Sequence, residues 1–416
     1  MKDSGIQWIG QIPENWRIER FKFTHQNSNV GESIDKNFCS ERDGKLLFYT
    51  AGLEPITTNY SNFPCWKYTK ERDLLLARNG TPYVYLPKEK AVYSDHIIRV
   101  TINDNYSKRF IRYCLQQAIK NEVVDTVSIT TWSVPIWDSQ YLSLPSIEQQ
   151  KRIADFLDQK TTEIQFAIDN TKQTIEEYKK LKQAVITKAV TKGLEPNRKM
   201  KDSGIEWIGE IPENWEVCKV RHLGSLQNGI SKGGDSFGKG FPFVSYGDVY
   251  KNYSIPEKVI GLVETDEEEQ ERYSVQKGDI FFTRTSETIE EVGFSSVCEK
   301  TIDKATFAGF LIRLRPSRKE IDTGYAKYYF RSNHNRYYLV KEMNLVTRAS
   351  LGQGLLNDMP VCYPPLSEQK SIAEYLDSKC SQIDTLISQK EQFITELEKY
   401  KQSLIYEYVT GKRVLN

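Results

Sequence analysis

The chain of 416 residues is written twice, and that repetition limits its possible folds more than any feature of its composition. Lys2 to Trp16 reads KDSGIQWIGQIPENW and Lys201 to Trp215 reads KDSGIEWIGEIPENW. Thirteen of the fifteen positions are identical, the exceptions being Gln7/Glu206 and Gln11/Glu210. A second repeat matches PSIEQQKRIADFLD at 145–158 with PPLSEQKSIAEYLD at 364–377, and continues weakly to Val190-Thr191 and Val409-Thr410. The offsets are 199 and 219, so the second intervening segment is 20 residues longer. The order is therefore box, variable segment, long charged segment, and then the same again. One chain arranged this way predicts an internal pseudo-twofold repeat, as a dimer would have.

The charged segments carry a helical signal. Apolar positions from Ile153 through Ile164, Ile168, Ile175 and Val185 to Ala189 alternate steps of four and three. The second segment repeats this from Ile372 through Ile383, Ile387, Ile394 and Leu404 to Tyr408. That is the spacing of a coiled-coil seam. Neither run contains Gly or Pro before its end, and Gly193 then Pro196 stop the first. A helix over about 147–191 would be roughly 65 Å long at about 1.5 Å per residue. Such an apolar seam is not left in water. The repeat order predicts two long helices packed antiparallel, with Ile164, Ile168, Ile175 and Val185 against Ile383, Ile387, Ile394 and Leu404.

The variable segments, 17–144 and 216–363, are rich in Tyr, Phe, Ile and Val and are broken by Gly, Pro and Asn. Short runs such as Leu74-Leu75-Leu76 and Ile280-Phe281-Phe282 predict strands in mixed α/β domains. The segments match in two places. Asp73 to Arg78 corresponds to Asp279 to Arg284, and Ile97-Ile98-Arg99-Val100 corresponds to Leu311-Ile312-Arg313-Leu314. The fold class is thus α/β: a domain over 1–144, a helix and linker over 145–200, a second domain over 201–363 and a second helix over 364–416.

Composition excludes more than it selects. Lys and Arg total 57 against 56 Asp and Glu, so net charge supplies no basic signature of phosphate binding. No apolar run approaches the roughly 20 residues of a membrane span, which leaves no membrane partner expected. Seven scattered cysteines without a CxxC pair are read as reduced thiols in a cytoplasmic protein, with no zinc site. Four histidines, at 25, 96, 222 and 334, lack metal-ligand spacing. Gly233 to Gly240 nearly spells a phosphate-binding P-loop, but Gly240 stands where Ser or Thr must follow Lys239. The Tyr363-Pro364-Pro365-Leu366 run lacks the Asn or Asp of an adenine methyltransferase. No catalytic or metal residue is assigned, and the acidic run Glu264 to Glu271 reads as a solvated loop or a partner patch.

The KDSGI-W-IG-IPENW box, the P-x-x-x-x-Q-K-x-IA-x-x-LD helix start and the doubled order resemble the specificity subunits of type I restriction–modification systems. The resemblance spans essentially the whole chain and lies in its framework. It implies two target recognition domains, each reading one half of a bipartite site in double-stranded DNA, held by an antiparallel helical spacer. It implies two partner modification subunits that bring S-adenosylmethionine and methylate adenine at N6. Restriction subunits, up to two where present, would bring ATP and magnesium, and this chain would carry no cofactor. Near-identical frameworks with divergent inserts independently suggest one kind of partner taken twice and an asymmetric pair of targets about one helical turn of DNA apart. A coiled-coil scaffold displaying two protein-binding domains is the competing reading, since the neutral charge does not exclude it.

Within that frame, Arg78, Asn79 and Thr81, followed by Lys88, form a candidate DNA-binding loop after a strand, and Arg284, Thr285 and Ser286 occupy the matching place. Arg suits guanine and Asn suits adenine in the major groove. Because Arg78 and Arg284 recur where the targets differ, they equally read as phosphate contacts or as partners of Asp73 and Asp279. Further candidates are Thr130, Thr131 and Trp132 in the first domain, Arg348, Ser350 and Gln353 at the matching place in the second, and Lys232, Lys239 and Tyr246 in or beside the glycine-rich loop Gly229 to Gly240. The tryptophans of the two boxes read as anchors fixing each domain to its helix, or as contacts for the modification subunit.

Overall fold

Each repeated box folds as the same small hairpin, and its residues say why. Lys2–Asp3 pairs antiparallel with Gln11–Ile12, and Met200–Asp202 with Glu210–Pro212. Asp3 and Asp202 each accept the N–H of the glycine two residues on, Gly5 and Gly204, at 3.0 Å. Those glycines, at φ +70° and +72°, occupy left-handed backbone that other residues enter only with strain. Trp16 and Trp215 are buried. A Cβ added at Gly411 would lie 3.2 Å from the Trp16 ring, and one at Gly193 would lie 3.4 Å from the Trp215 ring. Lys412 Nζ donates to the carbonyls of Ile9 and Gln11, both at 2.8 Å. Lys192 Nζ donates to those of Ile208 and Glu210, the same two places in the second box. Each box therefore anchors at the C-terminal end of a long helix, the first on the second helix and the second on the first.

The computed structural model describes residues 1–40, 43–121, 131–286, 292–342 and 349–415. They divide into unit 1, residues 1–171 with 392–416, and unit 2, residues 172–391. In unit 1, strands β1 (His25–Val30), β2 (Asp73–Ala77), β3 (Val84–Tyr85) and β4 (Ile97–Ile102) form an antiparallel sheet in the order β1-β4-β2-β3, followed by helix α1 (Lys108–Ala118) and the first part, to Thr171, of the long helix α2 (Ile147–Lys192). Unit 2 repeats this with β5 (Gly224–Asn228), β6 (Ile280–Thr283), β7 (Ser295–Val297) and β8 (Leu311–Pro316) in the order β5-β8-β6-β7, then α3 (Thr323–Tyr329) and the first part, to Glu391, of the long α4 (Leu366–Val409). Beside each sheet lies one parallel pairing, Val92–Tyr93 with Leu46–Tyr49 and Thr306–Phe307 with Phe237–Val244. Leu74, Leu76, Ile98 and Val100 bury into the unit 1 core, and Ile280, Phe282, Ile312 and Leu314 into that of unit 2.

The helix-start motif explains itself in the same way. Gln150 and Gln369, both buried, join the first turn of each long helix to the start of the shorter one. Gln150 accepts from the Ser107 N–H at 3.0 Å and donates to the Pro145 carbonyl at 3.0 Å. Gln369 accepts from the Asp322 N–H at 2.8 Å and donates to the Pro364 carbonyl at 2.9 Å. Ile153, Ala154 and Leu157, like Ile372, Ala373 and Leu376, are core. The closing aspartates, Asp158 and Asp377, each accept a tyrosine hydroxyl, from Tyr113 and Tyr328, at 2.7 Å.

The long helices run antiparallel within each unit. In unit 1, Ile164, Ile168 and Leu404 are buried in one core with Ile394 partly buried against it, the Phe156 and Tyr408 rings lie 4.7 Å apart, and Lys401 donates to Gln165 at 3.0 Å. In unit 2, Ile175 and Ile383 are buried, Val185 and Ile387 are half-buried, and Lys182 pairs with Asp384 at 2.7 Å. The fully buried place near the end of α2 belongs to Ile186 rather than Val185. An α-helix of 3.6 residues per turn drifts off a strict seven-residue repeat by about 20° per heptad, which brings the neighbouring residue inward. Two loop readings also change. Phe237–Val244, containing Gly238 and Gly240, is a strand, and Glu267–Arg272 of the acidic run is a short helix capped by Asp266.

Candidate nucleic-acid interface

Both sheets deliver an arginine to the same backbone clamp. At the end of β2 the Arg78 N–H donates to the His96 carbonyl at 2.8 Å, while the Trp132 N–H donates to the Arg78 carbonyl at 2.6 Å. At the end of β6 the Arg284 N–H donates to the Phe310 carbonyl at 2.8 Å, and the Leu351 N–H to the Arg284 carbonyl at 2.7 Å. Asn79 bridges Thr131, and Thr285 bridges Ser350, in the same antiparallel sense. The loops carrying His96 and Phe310 are fixed from beneath. Gly31 donates to the Ile97 carbonyl and Gly229 to that of Leu311, at 3.1 and 3.2 Å. A Cβ at either glycine would come within 2.3 Å of two carbonyl oxygens, so only glycine allows this approach. Among the described residues neither the Arg78 nor the Arg284 guanidinium has an ion-pair or hydrogen-bond partner. Two cations are thus presented on matched scaffolds.

Asp73 and Asp279 do not pair with these arginines, because they sit at the opposite ends of β2 and β6. Asp73 accepts from the Lys70 N–H (2.8 Å) and Thr101 (2.6 Å), with Arg99 at 3.7 Å. Asp279 accepts from the Gln276 N–H (2.8 Å) and Arg315 (2.6 Å). The matching arginines of β4 and β8 are internal struts. Arg99 donates to the Trp66 and Tyr68 carbonyls and lies 5.8 Å from the Tyr93 ring. Arg313 donates to the Ser274 carbonyl and lies 5.2 Å from the Phe307 ring, and burial pushes its guanidinium down to about 10. Burial likewise pushes the Tyr93 phenol up to about 12.

The remaining candidates divide. Thr81, Thr131 and Ser350 are exposed beside the clamps. Gln353 donates to Asn228 at 2.9 Å, next to Gly229. Tyr246 stacks on Tyr250, which stacks on Phe294, whose N–H donates to Thr283 at the end of β6. Trp132 is buried rather than presented, because its indole N–H donates to the Gly80 carbonyl at 2.8 Å and shapes the loop from inside. Lys88 is exposed elsewhere: its carbonyl accepts Thr69 at 2.6 Å, toward the Asp73 end of the sheet. Lys232 and Lys239 reach the acidic run, Lys232 pairing with Glu269 and the exposed Lys239 with Glu264 at 3.1 Å. Thr130, Arg348 and the side chain of Ser286 lie outside the described residues. Sequence reasoning missed His96 and Phe310, although each stands one residue before a matched run. Among the described residues no cluster of His, Cys, Asp and Glu is placed to hold a metal ion, and no helix is long and apolar enough to cross a membrane.

Two copies of one α/β scaffold joined to long helices, each presenting an arginine with no side-chain partner among the described residues, make a two-module framework. Comparison with known proteins carries this to a family. Residues 26–177 and 212–398 match the type I restriction modification DNA specificity domain. The chain belongs to that family. It is 24% identical to the EcoKI specificity subunit of Escherichia coli (strain K12), over 79% of this chain and 67% of that one. To the MjaVIII specificity subunit of Methanocaldococcus jannaschii it is 25% identical, over 83% and 80%. Among solved structures, a chain from a study of complex assembly and conformational transition of the type I R-M system superposes with a TM-score of 0.73 at 15% identity, covering 97% of this chain and 100% of that one. The HsdS subunit from Thermoanaerobacter tengcongensis gives 0.52 at 15% identity, over 97% and 98%. These likenesses are of fold.

Proposed function

We propose that this chain selects the DNA site for a type I restriction–modification complex and performs no chemistry itself. Each unit reads one half of an asymmetric bipartite sequence in double-stranded DNA. Two modification subunits dock on the repeated framework, bring S-adenosylmethionine and methylate adenine, and restriction subunits, where present, bring ATP and magnesium chemistry. The complex works in the cytoplasm. The observation that carries this reading is the matched clamp around Arg78 and Arg284: identical backbone supports with unlike surroundings suit a contact that positions both modules on phosphate while other side chains specify bases. The test is methylation mapping of a complex in which residues 17–144 are replaced by the corresponding segment of a relative. One half-site should change and the other persist. If both change together, or neither does, the two-reader reading is wrong.

A further inference from the structure

His96 and Phe310 occupy one structural position, and their side chains are chemically unlike, an imidazole in one module and a hydrocarbon ring in the other. Each precedes the first residue of the central strand, β4 or β8, and gives its carbonyl to the clamped arginine. Behind each, the first residue of the strand donates back three residues, Ile97 to the Ser94 carbonyl at 3.0 Å and Leu311 to the Ala308 carbonyl at 2.9 Å. The backbone is therefore the same tight turn, held by the same glycine-backed loop. Both side chains are exposed, and Phe310 keeps 63% of its surface in water although it is a large hydrocarbon on an ordered turn. Folding alone does not favour that arrangement.

We infer that position 96/310 is the base-reading position of this loop in each module, with the adjacent arginine holding phosphate. This rests on the DNA-reading function proposed above. In unit 1, Asn79 Nδ2 lies 2.7 Å from His96 Nδ1. With the amide donating, Nδ1 accepts and the ring hydrogen sits on Nε2, which has no partner among the described residues. His96 therefore presents a single oriented donor, suited to an acceptor on a major-groove edge such as guanine O6 or N7. In unit 2 the residue after the arginine is Thr285 rather than Asn79, and the turn presents the Phe310 ring, which has no hydrogen-bonding group and suits the methyl of thymine. A common phosphate contact beside unlike base contacts is what two modules with one scaffold and two targets require.

The test uses the full complex of this chain with its methyltransferase subunits, reading the methylated motif from a randomised DNA library. His96→Ala should relax selectivity about tenfold at one base pair of one half-site, and Phe310→Ala should do so at one base pair of the other, each mismatch being worth roughly five- to a hundredfold. His96→Phe should shift preference at its position toward thymine. Both residues are exposed, so melting temperatures should stay at the parental value, and His96→Gln, which keeps a donor, should retain more selectivity than His96→Ala. An unchanged motif, or weaker binding that is uniform across sequences, overturns this assignment while leaving the two-module function intact. Loss of the bipartite motif itself, or both half-sites moving with one substitution, would instead overturn the function on which it rests.

Discussion

Replacing Gln150 by Ala tests whether the helix-start motif is structural. The side chain is buried, and it satisfies two further buried groups, the Ser107 N–H and the Pro145 carbonyl. Removing it orphans both, at about 1–3 kcal/mol each and so about 2–6 kcal/mol together. The better helix propensity of Ala returns only a few tenths of a kcal/mol. We expect a net loss of about 2–5 kcal/mol, read from the midpoint shift of urea unfolding followed by tryptophan fluorescence. Gln150→Met keeps the volume but neither hydrogen bond, and should lose nearly as much as the Ala variant. If the Met variant matches the parent, or the Ala variant loses less than about 0.5 kcal/mol, the buried amide is not what joins α2 to the domain.

Two further outcomes follow from burial. Ile175→Asp places an unpaired charge at a position only 6% exposed, and should cost about 3–5 kcal/mol in the same unfolding assay, where Ile175→Val costs about 1 kcal/mol. Burial pushes the His334 imidazole from its ordinary 6.5 down to about 3, with Ser332 2.8 Å from its Nδ1. The unfolded chain therefore takes up a proton that the folded one refuses, so this contribution to stability is intact above pH 6.5 and falls as pH drops from there toward 3, by at most about 1.4 kcal/mol per pH unit. A His334→Gln variant should lack that part of the slope between pH 6 and 4; an unchanged slope would show that His334 is not its source.

The repeats, the long helices and the α/β character of the variable segments were all legible in the sequence, because each depends on local chemistry. The glycines and aspartates of the boxes encode one turn, and the steps of four and three encode one helical face. Even the P-x-x-x-x-Q start carried its meaning in residue types, since a buried glutamine can donate and accept at once. What only tertiary structure decided depends on groups far apart in the chain. Nothing near Lys232 or Lys239 announces that Glu269 and Glu264 pair with them, nor does anything near Asp73 announce that its partners are Thr101 and Arg99. Trp132 resembles a surface contact until its indole is found bonded to Gly80. The matched runs already align His96 with Phe310, but only the closed sheet shows that each gives its carbonyl to an arginine from another strand. Likewise, the first box finds the end of the second helix, some 400 residues later, because buried Trp16 and the Ile9 and Gln11 carbonyls need partners that Gly411 and Lys412 supply and no neighbour in sequence does.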